Sequence, residues 1–405
     1  MRRLHSVIVV AGMAMLLAGA VRTASAQTAA DLFDVGTLQE IRLLVNSKDL
    51  ALLRRNYGLN TRYPADMIWR NLRVRNVSVR SRGFGSRNST KLGLLIEFDH
   101  YTSGQRFLGL RSLVLDNEWQ DPSMIREQVA MSFFNRMGMP ASRESFARLY
   151  INNEYQGVYG IVENIDPDYL RRTLSENEGY LYEFHWQDYW YGEYRGDDLA
   201  PYKLLFEPRT HQLESDTQLY SPIRDLFRAI NGADEGVWRD QVERVLDLRQ
   251  FITLVAIEVY LSEWDGLTGN WAMNNFQLYR RSGSSVQLLL PWDRDRAMTQ
   301  LTGDMPIFFR TDDNVLFHRA IAYADLRELY LTVLEQCAQA AVQDDWFQNA
   351  IAQSASVVAA ATYQDSKKPF TNAEFDAEIQ GLMGFAHLRP SFVLQQIARA
   401  RSGSQ

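Results

Sequence analysis

Residues 72–99 read LRVRNVSVRSRGFGSRNSTKLGLLIEFD, and this stretch decides the first half of the fold. Apolar and polar residues alternate between Leu72 and Arg80, which is typical of a strand with one polar face. The segment 82–88 is rich in glycine and small polar residues and predicts a turn. A second apolar run, Lys91 to Asp99, predicts the next strand. The stretch therefore predicts two antiparallel strands joined by a glycine-rich loop.

The region after this unit predicts one helix and a hairpin. Asp121 followed by Pro122 is typical of a helix start, and apolar residues recur at helical spacing until Gly138. Two strand-like runs, 146–151 and 156–165, are joined by a short polar turn at 152–154 and predict a hairpin. We therefore expect an antiparallel sheet packed against one helix.

The second half of the chain is mostly helical in its pattern. Residues 185–217 have no sustained period and are interpreted as an irregular insertion. Helices are predicted at 222–230, 237–246, 248–264 and from 315 to the end, including 338–361 and 390–401, and two short strands at 275–279 and 286–290. This order predicts an α+β protein of two lobes, residues 27–210 and 211–405.

The first 26 residues are interpreted as a secretory signal peptide. Arg2 and Arg3 precede an apolar segment, and Ala24-Ser25-Ala26 is a typical cleavage site. We expect cleavage after Ala26, a secreted or periplasmic protein, and no membrane span after cleavage.

Composition and motif searches exclude several classes of function. The chain has 49 acidic and 43 basic residues, a net charge of −6, which disfavours a nucleic-acid partner. An H-E-x-x-H motif, a C-x-x-C motif and a G-x-S-x-G motif are absent from the sequence. A zinc site of His and Cys and a hydrolase nucleophile elbow are therefore disfavoured.

The glycine-rich loop suggests a phosphate site. Backbone N–H groups around Gly83 and Gly85 can approach phosphates closely, and Lys91 begins the next strand, from which it can reach the same phosphates. The alternative is an ordinary hairpin with a solvated lysine.

A second candidate site follows the apolar helix that ends near residue 264. Asp265 and Asn270 repeat the D-x-x-x-x-N spacing of a kinase catalytic loop, in which the Asp accepts a hydroxyl proton and the Asn holds a metal. Asn274 and Asn275 add further amide ligands. The alternative is a turn rich in Asn and Asp.

A third candidate site lies at the end of the strand before Pro291. Asp293 and Asp295 are two residues apart, so an extended backbone would direct both carboxylates to one side, where they suit Mg²⁺ or Mn²⁺. The alternative is a surface ion-pair cluster with Arg294 and Arg296.

Four blocks of the sequence together resemble the spore-coat CotH kinase family. They are RGFGSR at 82–87 with Lys91, LYINNEYQGVY at 149–159 with ENID at 163–166, DGLTGNWAMNNFQLY at 265–279, and PWDRD at 291–295. The blocks also follow the family's order. The resemblance covers roughly residues 40–300.

The resemblance implies a two-lobed, atypical protein-kinase-like fold with an antiparallel-sheet N-lobe and a mainly helical C-lobe. It also implies that the protein transfers the γ-phosphate of ATP, with Mg²⁺ or Mn²⁺, to Ser or Thr of exported or cell-surface proteins.

The resemblance also implies roles for individual residues. Asp265 is the catalytic residue. The implied nucleotide-binding residues are Arg82, Gly83, Ser86, Lys91 and Glu163, and the implied metal ligands are Asn270 or Asn275, Asp293 and Asp295. Glu127 competes with Glu163 as the partner of Lys91.

Two positions depart from the family pattern. Leu92 stands where a second lysine is expected, and Thr299 lies in the segment where the family usually has glycine. Neither departure removes a predicted ligand. The alternative function is a catalytically inactive coat, adhesion or carbohydrate- or protein-binding module that uses the aromatic stretch 186–194.

Overall fold

The first half of the chain forms a closed barrel of seven strands. The computed structural model describes residues 27–232 and 234–403, so the predicted signal peptide lies outside the described residues. The barrel strands are β1 (Leu38–Val45), β2 (Tyr63–Trp69), β3 (Leu72–Ser81), β4 (Leu94–Glu97), β5 (Ser112–Asp116), β6 (Glu144–Ile151) and β7 (Glu154–Val162). Their order around the barrel is β1-β2-β3-β4-β5-β7-β6.

The predicted fold class is wrong. The first-half strands do not form an antiparallel N-lobe sheet of the expected two-lobed kinase-like fold, because β1 pairs with β6 in parallel and closes the barrel. In register, Leu38 lies opposite Phe146. Hydrophobic alternation predicts which face a strand buries, but not which distant strand meets its edge. Closure leaves the barrel without a free edge.

The barrel core explains the alternating pattern of its strands. Inward-facing side chains of β1, β2 and β3, such as Ile41, Trp69 and Val79, are fully buried. Four helices accompany the barrel: α1 (Ala29–Leu32), α2 (Ser47–Arg55), α3 (Arg126–Arg136) and α4 (Pro167–Leu174). Helix α3 begins later than predicted, although the Asp121 carboxylate still accepts hydrogen bonds from nearby backbone N–H groups.

A second, antiparallel sheet joins segments from both halves of the chain. Its strands are β8 (Tyr180–Phe184), β9 (Phe206–Pro208), β10 (Phe276–Arg280) and β11 (Gln287–Pro291), in the order β11-β10-β8-β9. Leu181, Tyr279 and Leu288 of this sheet share a buried cluster with Leu95 and Val114 of the barrel. The boundary between two lobes predicted at residue 210 stays a prediction. Strands β8 and β9 precede this residue, β10 and β11 follow it, and all four belong to this sheet.

The remaining elements are helices that pack around a second core. They are α5 (Ala200–Leu205), α6 (Asp216–Gly232), α7 (Trp238–Glu243), α8 (Leu248–Tyr260), α9 (Val315–Ala320), α10 (Ala324–Val342), α11 (Trp346–Gln364) and α12 (Asn372–Ser402). The predicted helix 338–361 is interrupted, because Asp344 and Asp345 adopt positive φ angles. Helix α12 continues through Pro390. Among the described residues, no helix is both long and apolar enough to cross a membrane.

Candidate active site

A cavity of about 700 Å³ lies between the β3–β4 side of the barrel and the polar end of the second sheet. Side chains from the glycine-rich loop, β8, β9, β10 and the loops around residues 265–275 and 292–296 line it. Seven of the predicted site residues are among them: Arg82, Gly83, Ser86, Asp265, Asn275, Asp293 and Asp295. The fold therefore brings together residues that are separated by more than half of the chain.

The glycine-rich loop is held in place by hydrogen bonds at both of its ends. The Arg82 N–H donates to the Gly93 carbonyl at 2.9 Å. The Asn117 amide donates to the Ser86 carbonyl at 3.0 Å. Gly83 has a φ of 103°, and a Cβ atom there would lie 2.6 Å from the Ser86 hydroxyl. Glycine is therefore required for both the backbone conformation and the close approach.

Asp265 lies in the loop after α8 with one carboxylate oxygen engaged and the other free. Its Oδ2 accepts hydrogen bonds from the Asn274 amide at 3.0 Å and the Asn275 amide at 3.1 Å. Its Oδ1 is buried and has no hydrogen-bond partner among the described residues. Burial raises the pKa of Asp265 to about 6. The Asp293 charge also raises this pKa, whereas the hydrogen bond from Asn274 lowers it. The free oxygen can accept a proton or a hydrogen bond from a bound hydroxyl.

Asp293 and Asp295 follow β11 at the same end of the cavity. Asp293 has a φ of 55°, so the backbone leaves the extended conformation that the i, i+2 argument assumed. Both carboxylates still line the cavity, and neither has a hydrogen bond or an ion pair with another described residue. Burial raises the pKa of both carboxyl groups. The charge of Asp116 also raises the pKa of Asp293, and the charge of Asp293 also raises the pKa of Asp295.

The intervening Arg294 forms no ion pair with these aspartates, although its charge lowers the pKa of Asp293 and of Asp265. Its side chain is fully buried and forms an ion pair with Glu258 of α8. The alternative of a surface ion-pair cluster therefore does not describe Arg294. Arg296 does line the cavity, and its charge lowers the pKa of Asp265 and of both aspartates.

The two asparagines that the sequence left as alternatives have different surroundings. The Asn270 Oδ1 accepts a hydrogen bond from Arg310 at 2.9 Å, and Asn270 does not contribute to the cavity lining. Asn275 lines the cavity, and its carbonyl accepts from the Trp292 N–H, which joins the two loops that carry Asp265 and Asp293. Asn275 is thus the better placed of the two for a ligand in the cavity.

Lys91 lies outside the cavity lining. Its side chain is fully buried, and its ammonium group lies 2.8 Å from Asp365 Oδ2, just after α11. Burial lowers the pKa of Lys91, while the Asp365 charge raises it. The carboxylate also accepts from the Val158 N–H at 3.1 Å, and a Cβ at Gly157 would collide with it. The predicted role of Lys91 in nucleotide binding stays a prediction.

Neither candidate acidic partner of Lys91 contacts it. Glu163 accepts hydrogen bonds from Arg143 and Arg172, and it lies outside the cavity lining. Glu127 lies on α3, where it is buried without a hydrogen bond or ion pair to another described residue. Burial and the charge of Glu144 raise the pKa of Glu127 well above its usual range. The predicted role of Glu163 stays a prediction.

One known protein family matches most of this chain. Residues 79–393 match the family described as CotH kinase protein. The chain belongs to the CotH kinase family.

Two relatives and one solved structure show similarity to this CotH kinase family member. Inner spore coat protein H of Bacillus subtilis (strain 168) is 25% identical over 320 residues, which cover 74% of this chain and 80% of that protein. The inner spore coat protein H-like protein of the same strain is 40% identical over 60 residues, 15% of this chain and 20% of that protein. The crystal structure of the Helicobacter pylori proinflammatory kinase CtkA matches with a TM-score of 0.31 and 11% identity, over 77% of this chain and 95% of that one. A score this low carries no argument, so the kinase-like function rests on family membership.

Several residues of this CotH kinase site gave no usable signal in the sequence. Asp365 lies 274 residues from Lys91 and follows a helix that showed no catalytic motif. Gln277 and Glu183 line the cavity from neighbouring strands, at opposite positions in the β8–β10 register. Gln277 lies in the strand predicted at 275–279, whereas the sequence analysis predicts no strand around Glu183. Gln277 and Glu183 line the same cavity because their two strands pair with each other.

The cavity of this CotH kinase also fits a divalent cation that is bound together with phosphates. Within residues 27–232 and 234–403, no group of three or more His, Cys, Asp or Glu side chains is arranged as a complete metal site. Magnesium is usually held by one or two carboxylates, with phosphate oxygens and water in the other positions. Asp293 and Asp295 are two such carboxylates without partners among the described residues, so the donor set fits.

Proposed function

We propose that this CotH kinase transfers the γ-phosphoryl group of ATP to Ser or Thr hydroxyls of an exported or cell-surface protein, and that it requires Mg²⁺ or Mn²⁺. One observation carries the proposal: three carboxylates, Asp265, Asp293 and Asp295, lie at one end of a single cavity beside a glycine-rich loop. Burial of carboxylates is costly to folding, and groups with perturbed pKa values cluster at functional sites.

Asp265 is the residue that we assign to the acceptor hydroxyl. Two amide donors fix one of its oxygens, so the other oxygen keeps a defined direction. With a pKa of about 6, the carboxylate is ionised at neutral pH and can accept the proton as the hydroxyl oxygen attacks phosphorus.

Asp293 and Asp295, with Asn275, are the residues that would hold the divalent cation. When bound, such a cation neutralises charge on the triphosphate and on the transferred group. Ionisation of the two aspartates is favoured by any cation near them, because their raised pKa values arise from burial and from like charges. Asn270 stays a predicted ligand only.

The glycine-rich loop is the part of the site that we assign to the phosphates. Gly83 allows the backbone to approach a ligand closely, and Ser86 adds a hydroxyl donor. The Arg82 guanidinium lies over the Trp292 ring at 5.3 Å and within 3.3 Å of Asp116, which keeps it at the cavity wall. Its charge complements a triphosphate.

Export of the protein is the part of the proposal that rests on sequence. Residues 1–26 have the pattern of a signal peptide, and the relative with the larger matched segment is named as an inner spore coat protein. The acceptor is therefore proposed to be an exported or surface protein. N-terminal sequencing of the protein from its host tests this part, with Gln27 as the expected first residue.

The experiment that tests the transfer uses the purified protein with γ-labelled ATP and Mn²⁺ or Mg²⁺. We expect label on Ser or Thr of the protein itself or of an added acceptor, loss of label with a chelator, and loss of label in Asp293→Asn. Asp240→Asn, an exposed aspartate on α7, is the matched control and should behave as wild type. Folded wild-type protein that binds no nucleotide and labels no acceptor would contradict the proposal and favour a binding module.

A further inference from the structure

Exposed aromatic rings from three separate segments surround the mouth of the cavity. Phe84 of the glycine-rich loop is 85% exposed, Trp186 after β8 is 39% exposed, and Trp271 in the Asp265 loop is 43% exposed. All three line the cavity. We call these three residues the aromatic rim. Large apolar groups grouped at a surface mark an interaction site more often than single exposed ones do.

The aromatic rim is held together by direct contacts. The rings of Phe84 and Trp186 lie 6.3 Å apart, so the glycine-rich loop meets the β8 side across the mouth. The Trp186 indole N–H donates to the Trp271 carbonyl at 3.2 Å. The Arg296 guanidinium lies 5.7 Å above the Trp271 ring. These contacts orient the rings while leaving their faces accessible to solvent.

The position of the aromatic rim separates it from the part of the cavity that suits a nucleoside. The cavity lining also includes Leu95 and Gln277, each 3% exposed. The proposed function is taken to place the base of ATP against these buried residues and its phosphates at Asp293 and Asp295. The second reactant must then approach Asp265 from solvent, past Trp271 on the same loop.

We propose that the aromatic rim binds an aromatic side chain of the acceptor polypeptide, close in sequence to the Ser or Thr that receives the phosphate. The inference rests on the proposed kinase function and adds a substrate preference to it. Aromatic pairs gain from offset or edge-to-face contact in addition to the apolar area that they bury. The three rings of the aromatic rim can make such contacts with one aromatic ring of the acceptor polypeptide. The Ser or Thr hydroxyl close to that ring in sequence would then lie near Asp265.

The test compares two sets of synthetic peptides as phosphate acceptors. Each peptide contains one Ser in an alanine and glycine background, and the sets differ by one Trp placed one to four residues from that Ser. For wild type, we expect kcat/KM to be at least about fivefold higher for the best Trp-containing peptide. Trp186→Ala should reduce this preference to less than about twofold and leave the KM for ATP unchanged.

Two further variants keep the test decisive. Trp186→Phe retains a ring and should retain the preference, which separates a rim effect from a folding defect. Tyr101→Ala removes a ring of matched exposure, 40%, from a loop outside the cavity lining and should behave as wild type.

Two results would contradict the inference and leave the kinase function intact. One is phosphate transfer by wild type without any preference for the Trp-containing peptides. The other is a raised KM for ATP in Trp186→Ala with the peptide preference unchanged, which would assign the rings to the nucleobase. Absence of ATP turnover in wild type would contradict the proposed function itself, and this inference with it.

Discussion

Among the described residues, two groups of charged side chains differ in whether they have hydrogen-bond or ion-pair partners. Lys91 and Asp365 are both fully buried and form an ion pair, and backbone N–H groups donate to the remaining carboxylate lone pairs. Asp293 and Asp295 at the cavity are aspartates like Asp365, but neither has a hydrogen bond or an ion pair with another described residue. The first group joins the barrel to the end of α11, and the second is left open to a ligand.

This difference separates charge that maintains the fold from charge that binds. Removing one partner of a buried pair leaves an uncompensated ion, so the protein is destabilised. Removing a carboxylate that has no partner relieves repulsion and desolvation, so folding is maintained while function is lost. Lys91, Asp293 and Asp295 were candidate site residues in the sequence, and their surroundings distinguish them.

The largest expected effect is on turnover and comes from Asp265. Asp265→Asn keeps the shape of the side chain but cannot accept the hydroxyl proton, so kcat should fall about 10²–10⁴-fold with Mn²⁺–ATP affinity nearly unchanged. Paired transfer and calorimetry assays measure the two quantities. If Asp265→Asn lowered the affinity for Mn²⁺–ATP as much as Asp293→Asn does, Asp265 would itself be a metal ligand.

The next effect is on stability and comes from the buried pair. Asp365→Ala leaves the Lys91 ammonium buried without its partner, so the free energy of unfolding should fall by about 3–5 kcal/mol in urea titrations. Asp325→Ala removes an exposed partner of Arg239 and is the matched control, with an expected loss below about 1 kcal/mol. Similar losses in both variants would refute the structural role of the Lys91–Asp365 pair.

A further effect is expected from pH, through three buried carboxyl groups, of which Glu127 and Glu144 also feel the charge of Asp293. Burial raises the pKa of Glu118, Glu127 and Glu144 well above the usual range. Above the usual glutamate pKa of about 4.3, the unfolded chain releases these protons, while the folded chain retains them until the pH reaches their raised pKa values. Stability should therefore fall as pH rises, by at most about 1.4 kcal/mol per pH unit for each retained proton.

Glu127→Gln provides the control for this pH dependence. It removes one retained proton, so the decline in stability should become shallower, whereas exposed Glu40→Gln should not change it. Urea unfolding at several pH values measures the slopes. A stability that increases from pH 5 to pH 8 would contradict the assignment.

The sequence predicted local features better than it predicted long-range pairing. The glycine-rich loop, the β6–β7 hairpin and the Asp265 loop follow from short-range signals, namely glycine, turn residues and spacing. The barrel does not, because the contact between β1 and β6 depends on edges that lie far apart in the chain. The split at Asp344 and Asp345 also gave no signal, since neither residue is glycine or proline.

The candidate site shows the same limit at the level of single residues. Asp265, Asp293 and, as an alternative to Asn270, Asn275 were predicted because their motifs place hard oxygen donors in loops, and all three line one cavity. The partner of Lys91 was missed, because nothing in the sequence around Asp365 marks it as the residue that contacts Lys91. Compensation of a charge depends on tertiary contacts, and spacing along the chain does not encode it.

The most direct test of the distinction between these two groups is calorimetry of Mn²⁺–ATP binding to three proteins in parallel. These are wild type, Asp293→Asn, and Lys91→Met/Asp365→Asn, which removes both charges of the buried pair together and so leaves neither one uncompensated. We expect wild-type affinity in the double variant and no Mn²⁺-dependent binding in Asp293→Asn. Lost binding in a folded double variant, with binding retained in Asp293→Asn, would contradict the account.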